Sequence, residues 1–429
     1  MTATSAALPS PMTFREVLQL TLMRRVWFAQ VVSLMGDFLA VFAVISVVTY
    51  RMHGTPQQVT GVQIAYMLPL ALLGPLSGVF VDRWPLKPTL VASDLIRAGL
   101  VLLLFVTTSM WQIYLVLFAL SCVSSFFGPA QSVTIRHHVP AHGLMSANAL
   151  MQMAMMGTRV IGPAAAGALV AAFGPRICYA IDFVSFLVSA ALIGSVAIVR
   201  AAAPSRAPAE ESTNSRVHAV LHEMGEGMRF IAHHAAISFV VMAMAAGMFV
   251  MGCFGPLIAI YVRDGLHAKA GVFGLVTAMV GAGMIAGMPL VRRLSGRVPS
   301  ETLMLAGLAG IGLGALVLGA FAVVPTAMLG CFTLGFAFAF VIVPAQTLMQ
   351  QETPPALVGR ISSTMMSVVF FAQVLGLVLS GFLAEALGVR AVFVLCAVLA
   401  WVLTGAGRLL LSTERHAVAV PLIVRAPRL

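Results

Sequence analysis

Charge is what this sequence has least of. Of its 429 residues only 9% are charged, 25 Lys and Arg against 14 Asp and Glu, while 60% are hydrophobic. A soluble domain needs about a quarter charged residues to hydrate its surface, so no soluble fold suits this chain. Disorder is excluded as well, because it requires low hydrophobicity. Segments of about ten residues with alternating polarity are lacking, and apolar runs of about twenty or more stand in their place, which excludes a membrane β-barrel. The five cysteines (Cys122, Cys178, Cys253, Cys331, Cys396) lie scattered in apolar runs with no Cys/His spacing. They read as small buried hydrophobes, not as disulfides or metal ligands. No phosphate-binding loop and no nucleophile–base pattern is present, so neither ATP hydrolysis nor any other enzymatic chemistry is expected, and no cofactor or metal is called for. No cleavable signal is expected either, since the first apolar run, after Arg24 and Arg25, is too long for one.

What the chain does have is twelve apolar stretches, expected as membrane-spanning helices over 26–50, 58–81, 89–109, 112–134, 144–172, 177–199, 236–262, 271–292, 302–323, 326–349, 357–386 and 389–411. Each is long enough to cross about 30 Å of hydrocarbon as helix. The stretch 200–235, rich in Pro, Ser and charge, separates six spans from six and reads as a linker. The expected organisation is an N-terminal segment 1–25, a six-helix bundle 26–199, the linker 200–235, a second six-helix bundle 236–411 and a tail 412–429. The net charge of +11 is spread between the spans, which argues for topology and against a nucleic-acid partner. With the N-terminus inside, eighteen Lys and Arg fall on the cytoplasmic side and five (Arg51, Arg176, Arg263, Lys269, Arg390) on the other. That bias places both termini and the linker in the cytoplasm.

The halves repeat at an offset near 214. Pro129-Ala130-Gln131 matches Pro344-Ala345-Gln346, and Gly162, Gly167, Gly174 and Arg176 match Gly376, Gly381, Gly388 and Arg390. Tyr50 and Tyr261 close equivalent spans at nearly the same spacing. Parallel six-span repeats suit alternating access around a central site.

The loop after the second span reads Gly78-Val79-Phe80-Val81-Asp82-Arg83-Trp84-Pro85-Leu86-Lys87, and the fifth span carries Gly157-Thr158-Arg159-Val160-Ile161-Gly162-Pro163 and then Gly167. The first resembles the cytoplasmic loop signature of the major facilitator superfamily. The second resembles the Gly-Pro motif of that family's drug:proton antiporters, with one residue too many before the second glycine and Gly167-Ala168 where the motif closes on two glycines. Asp37 in Leu34-Met35-Gly36-Asp37-Phe38, the Phe126-to-Ala130 run, Ser93-Asp94-Leu95-Ile96-Arg97 and Tyr179-to-Phe186 extend the likeness to the third, twelve-span group, which includes macrolide and enterobactin exporters. The resemblance implies an all-α major facilitator fold of twelve transmembrane helices in two six-helix pseudo-repeats, in a bacterial inner membrane. It implies that Gly78, Asp82, Arg83 and Lys87 form a conformational latch, and that Gly157, Gly162, Pro163 and Gly167 form an antiporter-like helix contact. The second-half counterpart of the loop, Leu290 to Arg297, lacks the acid.

Each charge near the bilayer centre costs about 2.5–3.5 kcal/mol on insertion scales, which singles out Asp37, Arg159 and Asp182. Asp37 and Arg159 are expected to face each other, either as a fixed ion pair or as one that opens when the carboxylate takes a proton. Asp182 is placed to hydrogen-bond Tyr179 or Ser185, and Asp94 with Arg97 is spaced as a helical pair near the membrane surface. The Gly74/Gly78 and Gly283/Gly287 spacings read as helix-packing sites, and His218, His222 and Glu226 as a solvated face. The expected function is export of an amphiphilic, drug-like molecule by proton antiport. A siderophore exporter and a lipid or lysophospholipid translocase are alternatives on the same fold. The expected partners are a small-molecule substrate, protons and the lipid bilayer, with the chain a monomer.

Overall fold

The computed structural model describes residues 12–81, 84–198, 225, 228–353 and 358–418. Among the described residues there is no strand, and twelve long helices follow a short one at Phe14–Gln19. They are α1 (Thr21–Ser46), α2 (Pro56–Val81), α3 (Leu86–Leu103), α4 (Met110–His138), α5 (Leu144–Phe173) and α6 (Arg176–Gly194). After the linker come α7 (Ala235–Ile260), α8 (Ala270–Leu294), α9 (Ser300–Ala320), α10 (Val324–Glu352), α11 (Val358–Leu387) and α12 (Val389–Val418). Among the described residues ten helices are long and apolar enough to cross a membrane; α3, which carries Lys87, Asp94 and Arg97, is not one of them. The third helix is shorter than its apolar stretch. It closes in tight turns at Leu104 to Val106, because Thr108 and Ser109 give their N–H groups to the Gln112 side chain and start α4.

The repeat is written into the backbone. α1 and α7 each run 26 residues, α4 and α10 each 29, and α5 and α11 each 30. The first and seventh helices both end in a π-helical turn, Val47–Arg51 and Tyr261–Gly265, closed by Met52 N–H to the Val47 carbonyl and by Leu266 N–H to the Tyr261 carbonyl, both at 3.0 Å. Each turn is followed by a left-handed histidine, His53 (φ 49°) and His267 (φ 51°). The fifth and eleventh helices both end on a left-handed glycine, Gly174 (φ 79°) and Gly388 (φ 85°), whose N–H groups satisfy the carbonyls of Val170 and Ala384. All these pairs share the offset of 214 that the sequence matches suggest.

The chain divides into two compact units. The first contains α1–α6 and takes in His267–Ala278 at the start of α8. Within it α1 packs on α6 and α5, α2 on α4, and α3 on α6 and α4. The short helix is capped by Thr13 and Glu16, and its Val17 is buried with Met23, Ile135, Val139 and Leu150. A hydroxyl hydrogen bond from Ser146 to the Met12 carbonyl (2.6 Å) ties the segment down. At Gly167 the backbone of α5 lies against Gly274, where a Cβ on either glycine would strike the other's Cα.

The second unit contains α7, the remainder of α8 and α9–α12. Its helices meet through glycine. Gly252 abuts the Gln373 carbonyl, Gly376 the Phe249 carbonyl, and Gly335 the Val280 carbonyl. Gly283 and Gly287 sit against Phe332 and Phe336 of α10, so this small-residue pair is a helix-packing site as its spacing suggests. Arg390 donates to the Gly319 and Ala320 carbonyls at 2.9 and 2.8 Å and so caps the end of α9.

Candidate functional site: a buried charge cluster

The first unit holds a column of polar side chains between α1, α3 and α6. On α3 the residues Leu86, Leu90, Asp94, Arg97 and Val101 form one buried stripe, so the Asp94–Arg97 pair faces the bundle interior. On α6 the stripe Asp182, Ser185 and Ser189 faces it with the same periodicity. The two meet where the Ser189 hydroxyl donates to Asp94 Oδ2 at 2.6 Å. Arg97 Nη2 pairs with Asp94 Oδ1, and Arg97 Nη1 lies 3.6 Å from Asp37 Oδ2 of α1. The Arg97 guanidinium lies over two rings, Phe186 at 4.4 Å and Phe127 of α4 at 4.6 Å. A desolvated cation over an aromatic face gains about 2 kcal/mol or more, so the arginine is held by rings as well as by acids.

Asp182 lies against the α1 backbone. A Cβ on Gly36 would come within 2.6 Å of Asp182 Oδ1 and would strike the Ser185 hydroxyl. Only glycine at this place lets α1 approach α6 so closely. The Ser185 hydroxyl is 2.8 Å from the Asp182 carbonyl and 3.2 Å from Asp182 Oδ1. Its partner is thus Ser185, the second of the two expected neighbours; Tyr179 packs edge-on against Phe105. Tyr66 of α2 is in electrostatic reach of Asp37. About two turns away along α1, Gln131 of the repeated Pro-Ala-Gln run donates to Gln30 at 2.6 Å.

The cluster thus contains three carboxylates and one guanidinium. Asp94, Arg97 and Asp182 are 0–3% exposed, whereas Asp37 keeps 19% of its side-chain surface. Asp37 is thus the most exposed carboxylate of the cluster.

The expected Asp37–Arg159 pair does not form. Arg159 is exposed on α5 and makes no ion pair with a described residue, while Asp37 turns to Arg97. The reason is helical phase. α1 meets α5 through Phe38, which fills the space beside Gly162, and its neighbour Asp37 lies about 100° further round the helix, toward α3. Of the antiporter-like motif, Gly162 meets Phe38, Gly167 meets Gly274, Pro163 sits inside α5, and a Cβ on Gly157 would meet no described atom of another element within 4 Å. Gly78 lies in α2 and Lys87, partly buried, in the first turn of α3. Asp82 and Arg83 of the same loop lie outside the described residues, as do His218, His222 and Glu226. The role of Arg97 as a hub, and those of Ser189, Phe127 and Phe186 around it, do not show in any single residue of the sequence. The signal available was the shared spacing of Asp182, Ser185 and Ser189 on one helix and Leu90, Asp94 and Arg97 on another.

A family model described as Major Facilitator Superfamily matches residues 26–376 and 237–426. The chain is 27% identical over 382 residues to an uncharacterized MFS-type transporter, YfiS, of Bacillus subtilis, covering 86% of this chain and 88% of that one. It is 25% identical over 380 residues to macrolide efflux protein A of Streptococcus pyogenes (86% and 91% covered). It is 24% identical over 380 residues to the multidrug efflux pump Tap of Mycobacterium bovis (85% and 88%). Among solved structures, a mutant of the nucleoside transporter NupG superposes with a TM-score of 0.69 at 14% identity, covering 91% of this chain and 99% of that one. A bacterial homologue of the lysosomal transporter Spinster, inward-facing, gives 0.67 at 13% identity, with 93% and 97% covered.

Proposed function

Because the chain belongs to the major facilitator superfamily and is a multi-pass membrane transporter, we propose that it exports amphiphilic, drug-like molecules in exchange for protons, with Asp37 as the coupling carboxylate. One observation carries this reading. The repeat lets the two units be compared position by position, and the second unit builds the same helices without the buried charges. Leu308 and Ile311 stand where Asp94 and Arg97 stand in the first unit, Met251 for Asp37 and Cys396 for Asp182. Leu308, Ile311 and Cys396 are all buried. The fold therefore has an apolar solution at these sites, and intramembrane charge kept against its insertion cost is functional by default.

A carboxylate beside an arginine in an apolar setting can alternate between ion pair and neutral acid, the property a proton-coupled carrier needs. The efflux relatives support export of a macrolide-sized or multidrug-type substrate. In this reading the six-helix bundles 26–199 and 236–411 rock about the substrate, both termini and the linker 200–235 are cytoplasmic, and a monomer in the bacterial inner membrane suffices. Gly78, Asp82, Arg83 and Lys87 latch one conformation, the Gly162–Gly167 stretch is a close-contact point of α5, and Arg159 faces the substrate path instead of Asp37. Asp182 supports the cluster from α6.

The test is transport in proteoliposomes under an imposed pH gradient, with a macrolide, a lipophilic cationic dye, a catecholate siderophore and a lysophospholipid as the panel. Gradient-driven movement of the macrolide or the dye, lost in Asp37→Asn, is the expected result. Transport of only the siderophore or the lysophospholipid would replace the substrate class, and proton flux unchanged in Asp37→Asn would remove the coupling role.

A further inference from the structure

The guanidinium of Arg97 serves two acids unequally. Asp94, one turn away on the same helix, holds it directly and is itself held by Ser189. The Ser93 carbonyl accepts from Arg97 Nε at 3.4 Å, and the rings of Phe127 and Phe186 lie against the guanidinium. Asp37, from another helix, is paired through Nη1 at 3.6 Å, beyond hydrogen-bond distance. The arginine is thus fixed on α3, and Asp37 is the partner whose contact is weakest.

We propose that Arg97 is a positioning residue, locked on α3 by Asp94, Ser189, Phe127 and Phe186, and that it sets the pH at which Asp37 exchanges its proton. The inference rests on the reading of Asp37 as the coupling carboxylate. Among the described residues, the ionisable groups in electrostatic reach of Asp37 are Arg97 and Asp94 from α3, Asp182 from α6 and Tyr66 from α2. Of these only Arg97 is cationic, so it alone favours the ionised form of Asp37. When Asp37 takes a proton and its attraction to the guanidinium disappears, Arg97 is still neutralised by Asp94. No uncompensated cation is then left in the hydrocarbon, and α1 can separate from α3 without the several-kcal/mol penalty of a bare buried charge. The second acid is what makes release of the first inexpensive. Lysine cannot replace this arginine, because an ammonium has neither two flat faces for the rings nor a fork for two carboxylates.

The experiment is a pH titration of the full chain in lipid nanodiscs, followed by the infrared carbonyl band of protonated carboxyl groups. It needs no transported substrate. In the wild type, Asp37→Asn should remove one titrating component. In the charge-balanced variant Asp94→Asn/Arg97→Gln, the midpoint of that component should rise by about one pH unit or more, a tenfold change in proton affinity. Arg97→Lys should raise it by less. A midpoint unmoved in the double variant, or unmoved in Arg97→Lys should the double variant not fold, overturns the positioning role while leaving Asp37 as the titrating group. If Asp37→Asn removes no component, the coupling reading itself falls and this inference with it. A merely structural role for Arg97 would alter the melting temperature and leave the midpoint in place.

Discussion

The two units use one helical plan and solve its interior in opposite ways. In the first, α1, α3 and α6 meet through Asp37, Asp94, Arg97, Asp182 and two serines. In the second, α7, α9 and α12 put Met251, Leu308, Ile311 and Cys396 at the same repeat positions. Its helices come together by backbone contact at Gly252, Gly335 and Gly376. Small residues that let helices pack are the usual glue in lipid, where no hydrophobic effect drives association. A charge network in the same place must be fully satisfied and still gains little stability over apolar packing. The difference teaches that the second unit shows what the fold requires, and that the charges the first unit adds, which we propose serve proton coupling, go beyond that requirement.

The sharpest way to break this comparison is to remove the charge at one site and vary its counterpart. Asp37→Asn should lower pH-gradient-driven transport in proteoliposomes by at least about tenfold, roughly the 1.4 kcal/mol of one lost coupling step or more. Met251→Leu, at the matching position, should change it less than about twofold, as volume-conserving swaps usually do. Equal losses would end the division of labour between the units.

A second test moves the apolar solution across. Arg97→Met leaves two buried acids unpaired and should destabilise the protein by about 3–5 kcal/mol, read as a large fall in thermal unfolding temperature. Asp94→Leu/Arg97→Ile, which copies the second unit, should recover most of that stability while proton coupling stays impaired. A double variant as unstable as the single one would show that the first unit depends on its charges to fold.

A third, smaller effect separates packing from chemistry among the glycines. Gly36→Ala and Gly252→Ala should each cost about 1–3 kcal/mol by overpacking. Only Gly36→Ala pushes on Asp182 and Ser185, so only it should also displace the pH profile of transport.

The smallest effect lies outside the membrane, in the short helix of the first unit. Backbone and side-chain hydrogen bonds from Thr13 hold the Glu16 carboxyl below its usual range. A carboxylate whose folded pKa is depressed stabilises above the ordinary carboxylate range, and that contribution is lost as pH falls through the folded value. Amide exchange over Phe14–Gln19 should therefore quicken in acid, and Thr13→Ala should produce the same fraying at neutral pH. Exchange indifferent to both would mean that Val17 packing alone holds the segment.

Much of this architecture is legible in the sequence. Hydropathy located the helices to within about seven residues at each end, so that the run 26–50 is Thr21–Ser46 plus its π-helical turn. The Pro-Ala-Gln and Gly matches located the repeat. The charge cluster was only half legible. Asp37 and Asp182 were singled out because charge in an apolar run is conspicuous, and the Asp94–Arg97 pair because its spacing is local. That Arg97 is the cation for Asp37, and Arg159 is not, depended on which faces of α1 turn toward α3 and α5.

Composition and periodicity alone decided that this chain is a twelve-helix membrane protein built on a duplicated half, since insertion into hydrocarbon is governed by length and apolarity summed along each segment. Tertiary structure alone decided which charges meet. An ion pair between helices depends on rotation about each axis and on close approach at Gly36, and neither is encoded in any one segment.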